Sequence, residues 1–427
     1  MSGATVIKVG EVQPQVVRLL WLWWLIAHGL LLRLLVINTV PDGDVRYYFD
    51  AVSGLNPIAM REYPIVGTWP AYVALWFSNG SSDHYLAMFT MVCYALDAIF
   101  FAIILHTRIA VSSQARITAA VFWGGFSLVV GHVCVYRLDI FPSVVVGVAA
   151  ICLFLAPRCS AGLLAIAVMI KLWPGVLIVG LVDSIRRSKT YVRVGIFIAS
   201  LVLITGVVIP FSGIDRLLSP FSYQGERGLQ IESVAATPFM WLANTRTAEN
   251  YVVFYAASKS YEISGPGVAT AIGLSSFLLL ATLIAAALWA FRRLWVGGWS
   301  PDQTVVLWIF LIVMLIISNK VFSPQYIVWL GPVLAVALLR ARKLKFPLFM
   351  AVLIYCMALL GQVVYPFHYH ELTDNVSEMT IGVVGLAARN ILMVVATIIA
   401  GIWLVKTPGG ENAKQSVRFL ASRSGDN

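Results

Sequence analysis

Twelve apolar stretches recur along this chain, most of them close to the roughly 20 residues that an α-helix needs to cross a hydrocarbon core. They lie near residues 17–39, 64–79, 85–106, 115–134, 140–157, 161–182, 193–212, 267–291, 303–318, 325–340, 346–364 and 381–405. Composition agrees: of 427 residues, 60% are apolar and 12% charged, with a mean hydropathy of +0.86. Soluble domains run near half apolar and about a quarter charged. A soluble globule, a disordered chain and a disulfide scaffold are therefore excluded. The expected fold is all-α, a polytopic integral membrane protein with about 10–12 transmembrane helices spread over residues 1–405.

Charge sets the expected orientation. There are 30 Lys+Arg against 20 Asp+Glu. In a soluble protein that surplus would raise nucleic acid as a partner; here it reads as cationic loops that orient a membrane protein, and no nucleic-acid partner is expected. Arg186, Arg187, Lys189 and Arg193 form one cluster, Arg292 and Arg293 a second, and Arg340, Arg342, Lys343 and Lys345 a third. Lys406, Lys414, Arg418 and Arg423 close a basic tail, 406–427, expected to be cytoplasmic and disordered. With both termini in the cytoplasm all four clusters fall inside. The outer loops are then about 40–63, 213–266, 318–325 and 365–380. The five cysteines form no CxxC pair, so neither a zinc site nor a disulfide framework is indicated. The first span has no small-residue cleavage site after it and reads as retained.

Two stretches leave alternatives open. Residues 64–79 are short and hold Pro64 and Pro70; residues 161–182 carry Lys171 and Pro174 in mid-segment. Each is either a span or a broken, re-entrant helix lining a protein-walled cavity. If both are re-entrant, the turn Tyr136-Arg137-Leu138-Asp139 moves to the outer face.

The first outer loop, Pro41-Asp42-Gly43-Asp44-Val45-Arg46-Tyr47-Tyr48, follows an apolar span directly, so its carboxylates sit at the membrane surface. Such a carboxylate is either a general base for a hydroxyl or a solvated loop residue. Two acids around a glycine supply too few oxygen ligands for a cation, and no metal is expected. Charges inside spans are functional candidates by default: Arg33, Asp97, Arg137, Asp139, Lys171 and Arg389. Lys171, beside Trp173-Pro174, holds a lipid phosphate, snorkels toward an interface, or pairs with Asp97 or Asp139. Arg137 and Asp139 are candidates to pair with each other, and Arg389 to snorkel from a helix end. In the turn Lys320–Tyr326, Lys320 suits a phosphate and Gln325 a polar head group, unless the turn is only a tight loop before a proline-started helix. The polar run Gln224–Ser233, with Glu226 and Arg227, is a sugar site or a solvated surface. His368 and His370 have the spacing of a strand-borne metal pair but no third ligand, and a surface cluster is the plainer reading. P-loop, GxGxxG, HExxH and GxSxG motifs are absent, and the loops are too short for a nucleotide-sugar domain. No cofactor is indicated. An enzyme built this way takes its substrate from the bilayer.

Four blocks carry a family resemblance: Asp44-Val45-Arg46-Tyr47-Tyr48 with Ser53-Gly54; Glu62-Tyr63-Pro64; Tyr136-Arg137-Leu138-Asp139-Ile140-Phe141-Pro142 followed by Lys171-Leu172-Trp173-Pro174; and Ser323-Pro324-Gln325-Tyr326 before Trp329. In their order and topological positions the chain resembles the GT-C membrane glycosyltransferases, and among them glycosyltransferase family 87, which includes actinobacterial polyprenol-phosphate-mannose-dependent mannosyltransferases and an arabinofuranosyltransferase. Ile65 stands where family members often carry a second proline. The resemblance implies a GT-C-like fold with its active site at the outer face of a bacterial plasma membrane. It implies inverting transfer of a sugar, mannose first and arabinofuranose second, from a polyprenyl-phosphate donor to a glycolipid or cell-envelope glycan. Asp44 matches the catalytic carboxylate, with Asp42 its nearest competitor. Lys171, Lys320 and Arg137 are the candidate phosphate contacts. Arg46, Tyr48, Tyr63, Arg227, Gln325 and His368 are the candidate sugar and acceptor contacts. A transporter or flippase of a lipid-linked sugar is the rival reading, because intramembrane charges and broken helices suit it equally.

Overall fold

The structure, a computed structural model, describes residues 10–38, 40–225, 227–245, 250–374 and 378–410. Glu226 and the part of the basic tail from residue 411 onward, with Lys414, Arg418 and Arg423, lie outside the described residues. The helices in chain order are α1 (Pro14–Ile37), α2 (Gly43–Val52), α3 (Trp69–Phe77), α4 (Ser82–His106), α5 (Ser113–Val130), α6 (His132–Val135), α7 (Ile140–Leu155), α8 (Pro157–Ile170), α9 (Ser188–Gly225), α10 (Thr237–Ala243), α11 (Val268–Val296), α12 (Pro301–Ser318), α13 (Gly331–Leu339), α14 (Lys345–Gln362), α15 (His370–Thr373) and α16 (Ile381–Lys406). Seven of them, α1, α4, α9, α11, α12, α14 and α16, are long and apolar enough to cross a membrane. Prolines in the first turn start α1, α8, α12 and α13, where no backbone N–H is missed. The Ser112 hydroxyl caps α5 by accepting from the Ala115 amide at 3.1 Å.

Helix ends gather on two faces. On one face Arg116, at the start of α5, donates to the carbonyls of Gly10 ahead of α1 and Thr107 after α4, each at 2.7 Å. There too Arg340, after α13, pairs with Asp302 at the start of α12 at 3.0 Å, and Gln303 reaches the Thr407 carbonyl after α16 at 2.8 Å. On the opposite face the residues following α1, α8, α12 and α14 line one cavity with those preceding α7. The basic clusters at 186–193, 292–293 and 340–345 lie on the first face, away from the cavity.

The two ambiguous stretches resolve in opposite ways. Residues 64–79 stay at the cavity face. Gly67 packs so tightly on the Ile170 carbonyl that a Cβ has no room, and Tyr85 of α4 donates to Ala71 of α3 at 3.1 Å. Residues 161–182 run to the cavity face and back again rather than in one direction. α8 rises to Lys171, whose extended backbone (φ −154°, ψ 139°) ends it. A 3₁₀ helix from Trp173 to Leu181 then returns, and the Gly180 carbonyl accepts from Trp299 at 2.8 Å and Thr304 at 2.9 Å on the far face. At about 2 Å per residue the tighter helix covers about 18 Å in nine residues. The turn 136–139 accordingly shares the face of Asp44.

The main core is dense in large side chains, with Trp123, Trp308, Phe100, Phe101 and Phe126 fully buried. Inside it Asp97 of α4 accepts from Trp24 and Ser127 at 2.6 Å each and faces His28 at 3.2 Å, so this charge is held among three helices. Arg33 is exposed on α1. All five cysteines are free.

Over the cavity lies a small cap, where a plain loop was expected. Strands β1 (Leu229–Gln230), β2 (Val252–Tyr255) and β3 (Tyr261–Ser264) form an antiparallel sheet in the order β1-β3-β2, pairing Leu229 with Ile263 and Tyr255 with Tyr261. Leu229, Ile231, Met240, Val253 and Ile263 make its core, which continues into Val364, Leu372, Val383 and Leu386 around α15 and α16. Arg389 fastens it. Rather than snorkelling, Arg389 is fully buried, pairs with Glu232 at 2.7 Å and donates to the Glu232 carbonyl at 2.8 Å. Asn390 adds bonds to the Glu232 carbonyl at 3.1 Å and to Thr237 at 2.7 Å.

Candidate active site

The cavity between cap and helices holds about 1170 Å³. Asp44 is the second residue of α2, where the helix dipole favours a carboxylate. Its side chain is 42% exposed and forms an ion pair with Arg137 from the turn before α7. Arg137, 10% exposed, also donates from Nη2 to the Tyr365 hydroxyl at 3.2 Å. Arg137 and Asp139 therefore do not pair with each other. Asp139 instead accepts from Lys171 Nζ at 2.6 Å and from Trp329 Nε1 at 2.5 Å. The Lys171 ammonium lies 5.1 Å from the Tyr326 ring centre, 5.4 Å from Trp329 and 5.9 Å from Tyr63, within cation–π reach of all three. Trp173 stacks on Trp329 at 4.8 Å and completes this aromatic collar.

Arg227, Gln230, Lys320 and Gln325 line the side wall. Lys320 donates to the Arg227 carbonyl. Gln230 donates to the Ser323 hydroxyl at 3.3 Å, while its buried Oε1 has no hydrogen-bond partner among the described residues. Toward α2, Tyr47 donates to Glu62 at 3.0 Å and Lys259 lies over the Tyr47 ring at 4.0 Å. Burial pushes the Glu62 carboxyl above the ordinary carboxylate value, against the pull of the Tyr47 hydrogen bond. Leu279 and Leu283 of α11, Leu315 of α12, Leu172 and Val176 form an apolar end. From Ser275 to Leu283 the cavity follows α11 for about 12 Å into the bundle.

The structure thus gathers Asp44, Arg137, Lys171, Lys320, Arg227, Gln325 and Tyr63 around one space. Four other expected residues stand apart. Asp42 pairs with Arg46 at 2.7 Å, and Arg46 is 79% exposed. Tyr48 is buried beneath the wall with its hydroxyl 3.2 Å from that of Tyr63. His368 is occupied by Glu371 at 2.7 Å. A small burial cost at Glu371 is outweighed by hydrogen bonds from His368 and the Gly382 amide, which hold its carboxyl below the ordinary value. Residues that sequence reading did not select as site residues also line the space: Glu62, Tyr47, Glu232, Lys259, Tyr255, Tyr261, Tyr365 and Tyr369. Glu62 and Tyr47 lie within the quoted blocks and Glu232 within the polar run Gln224–Ser233, whereas Lys259, Tyr255 and Tyr261 carried no local signal of their place.

Among the described lining residues, five cations (Arg137, Lys171, Arg227, Lys259, Lys320) face three carboxylates (Asp44, Glu62, Glu232). Asp139 behind Lys171 and Arg389 behind Glu232 offset one another, leaving two positive charges in excess. No three His, Cys, Asp or Glu side chains among the described residues converge as a metal set. The arrangement suits an anion with an apolar tail, held beside a carboxylate at the end of a helix. Comparison of the chain with protein-family models, with curated proteins and with solved structures finds no match.

Proposed function

We propose that this protein is an integral membrane glycosyltransferase that moves a sugar from a polyprenyl-phosphate donor to a glycolipid or cell-envelope glycan. The observation that carries the reading is the Asp44–Arg137 pair, set in the wall of a cationic cavity whose other end is leucine-lined. The lipid chain occupies the leucine end and the phosphate meets Arg137 and Lys171, with Lys320 on the side wall. The donor is a phosphodiester with one negative charge, and the departing polyprenyl phosphate carries up to two. The cationic excess therefore stabilises the leaving group more than the substrate, which is the condition for catalysis.

Asp44 is the base. The acceptor hydroxyl oxygen attacks the anomeric carbon, its proton passes to Asp44, and the bond from that carbon to the phosphate oxygen breaks with its electron pair leaving on the phosphate. Without ligand, the Asp44 carboxylate is engaged by Arg137. The incoming phosphate competes for the guanidinium and releases the carboxylate, so Asp44 becomes available as a base only once donor is bound. Family resemblance favours inversion and mannose, with arabinofuranose second. The basic clusters on the opposite face support a cytoplasmic N-terminus and an outward-facing site in a bacterial plasma membrane.

The test uses purified protein in lipid vesicles with radiolabelled polyprenyl-phosphate mannose and crude envelope glycolipid. Wild type transfers label, and a folded Asp44→Asn protein loses at least about 10²-fold in rate. Transfer that survives in Asp44→Asn removes Asp44 as the base. Absence of transfer with both this donor and its arabinofuranosyl counterpart removes the transferase reading in favour of transport of a lipid-linked sugar.

A further inference from the structure

The far end of the cavity carries a feature that donor binding leaves unused. Starting at Arg137, tyrosine rings follow one another up the wall. Tyr365 accepts from Arg137, and its ring centre lies 5.0 Å from that of Tyr369. Tyr369 lies 5.8 Å from Tyr261, and Tyr261 lies 5.1 Å from Tyr255. Three separate pieces of chain supply them: the segment after α14, β3, and β2, where Tyr255 and Tyr261 are cross-strand partners. All four line the cavity, and Tyr255 at the far end is 61% exposed. The file therefore leads from the reacting centre to the mouth.

We propose that these four tyrosines are an acceptor track that binds a glycan of several sugar residues, with its growing end at Asp44. The proposal rests on the glycosyltransferase reading for its direction and deepens it by naming the acceptor class. Ring geometry selects the ligand. Successive rings are turned by 89°, 74° and 65°, so the wall alternates apolar faces with hydroxyl-bearing edges and offers no flat slot for a planar base. A sugar ring has the matching character, with C–H patches on its faces and hydroxyls around its edge; tyrosine combines an apolar body with a polar tip. Ser258 and Ser260 add hydroxyls at the hairpin, 3.0 Å apart, and both line the cavity. Volume agrees. A space of about 1170 Å³ exceeds the roughly 300–1000 Å³ typical for one small ligand. The leucine end accommodates a lipid, and the tyrosine end has room for a second, extended substrate.

The experiment measures transfer to manno-oligosaccharide acceptors of one to four residues, with arabino-oligosaccharides of the same lengths in parallel. For wild type, kcat/KM rises with acceptor length. Tyr255→Ala lowers it about five- to tenfold on the four-residue acceptor and by less on shorter ones, and Tyr255→Phe keeps most of the gain. Saturation-transfer NMR of the same tetrasaccharides on protein in nanodiscs, without donor, reads binding apart from chemistry. A Tyr255-dependent signal supports the track even if no acceptor is glycosylated, in which case only the transferase reading falls. Wild-type rates that do not change with acceptor length, an equal loss in Tyr255→Ala on every acceptor, or the absence of oligosaccharide binding would each overturn the track.

Discussion

Asp44 and Lys171 are both held by opposite charges, but the two pairs differ in kind. Asp44 is 42% exposed at the cavity wall, open to a ligand in the cavity. Asp139 is buried behind Lys171 and tied to Trp329 as well, so no ligand reaches it. The first pair is exchangeable and the second is fixed. Arg137→Gln is therefore expected to lower kcat/KM for the donor by about 10²–10³, with Arg137→Lys between it and wild type because a point charge lacks the guanidinium fork. Steady-state rates at varied donor concentration check this. Lys171→Met leaves a buried carboxylate uncompensated and is expected to lower Tm. Adding Asp139→Asn restores Tm without restoring transfer, as thermal unfolding and the transfer assay on the same preparations would show.

Away from the site, Glu371 gives a pH signature. Its carboxyl is depressed in the folded state by His368 and the Gly382 amide. That stabilisation is present above the ordinary carboxylate value of about 4.3 and is lost as pH falls through the lower folded value. Glu371→Gln is thus expected to reduce Tm at neutral pH, and the gap to wild type to close in acid. Much of the site's membership could be read from the sequence, because a charge beside a long apolar run stands out: Asp44, Arg137, Lys171 and Lys320 were visible in that way. Their partners were not. Arg137 bypasses Asp139, two residues away, for a carboxylate 93 residues earlier, and no local pattern encodes that choice.

At the scale of elements, the apolar runs marked most helices, but run length misjudged two of them. The stretch 64–79 stays at the cavity face without crossing: its first turn, with Val66, Gly67 and Thr68, is buried, while Trp69, Val73, Trp76 and Phe77 of α3 are exposed. The stretch 161–182 looks like one span because its return leg is a 3₁₀ helix, more extended per residue than the α-helix that hydropathy windows assume. The cap escaped sequence reading for a different reason. Its strands are two to four residues long, too short for alternation to register, and its core is completed by residues more than a hundred positions later. What holds it is the buried Arg389–Glu232 pair. Arg389→Met leaves Glu232 buried alone and is expected to cost about 3–5 kcal/mol. Arg389→Met with Glu232→Leu regains most of that stability. Thermal unfolding in nanodiscs checks both.

For the whole molecule, the least buried of the long helices are α9 and α11, whose outer surfaces carry Leu203, Phe211, Phe277 and Leu288. Leu279 and Leu283 on the same α11 line the apolar end of the cavity, so this helix presents leucines both outward and to the cavity. Leu283→Trp, which shortens that end, is expected to raise KM for a long-chain donor several-fold and to affect a short-chain analogue much less. Steady-state transfer with the two donors compares them.

The tether between Glu232 and Arg389 also has a consequence for biogenesis. The two residues are separated by 157 positions. At about 5–20 residues per second, a ribosome reaches Arg389 roughly 8–30 s after Glu232. Through that interval the nascent chain already displays Asp44, Arg137 and Lys171, yet the cap has nothing to close against. The cavity is therefore closed over only once α16 is in place, and a chain truncated before Arg389 lacks the partner that fastens the cap.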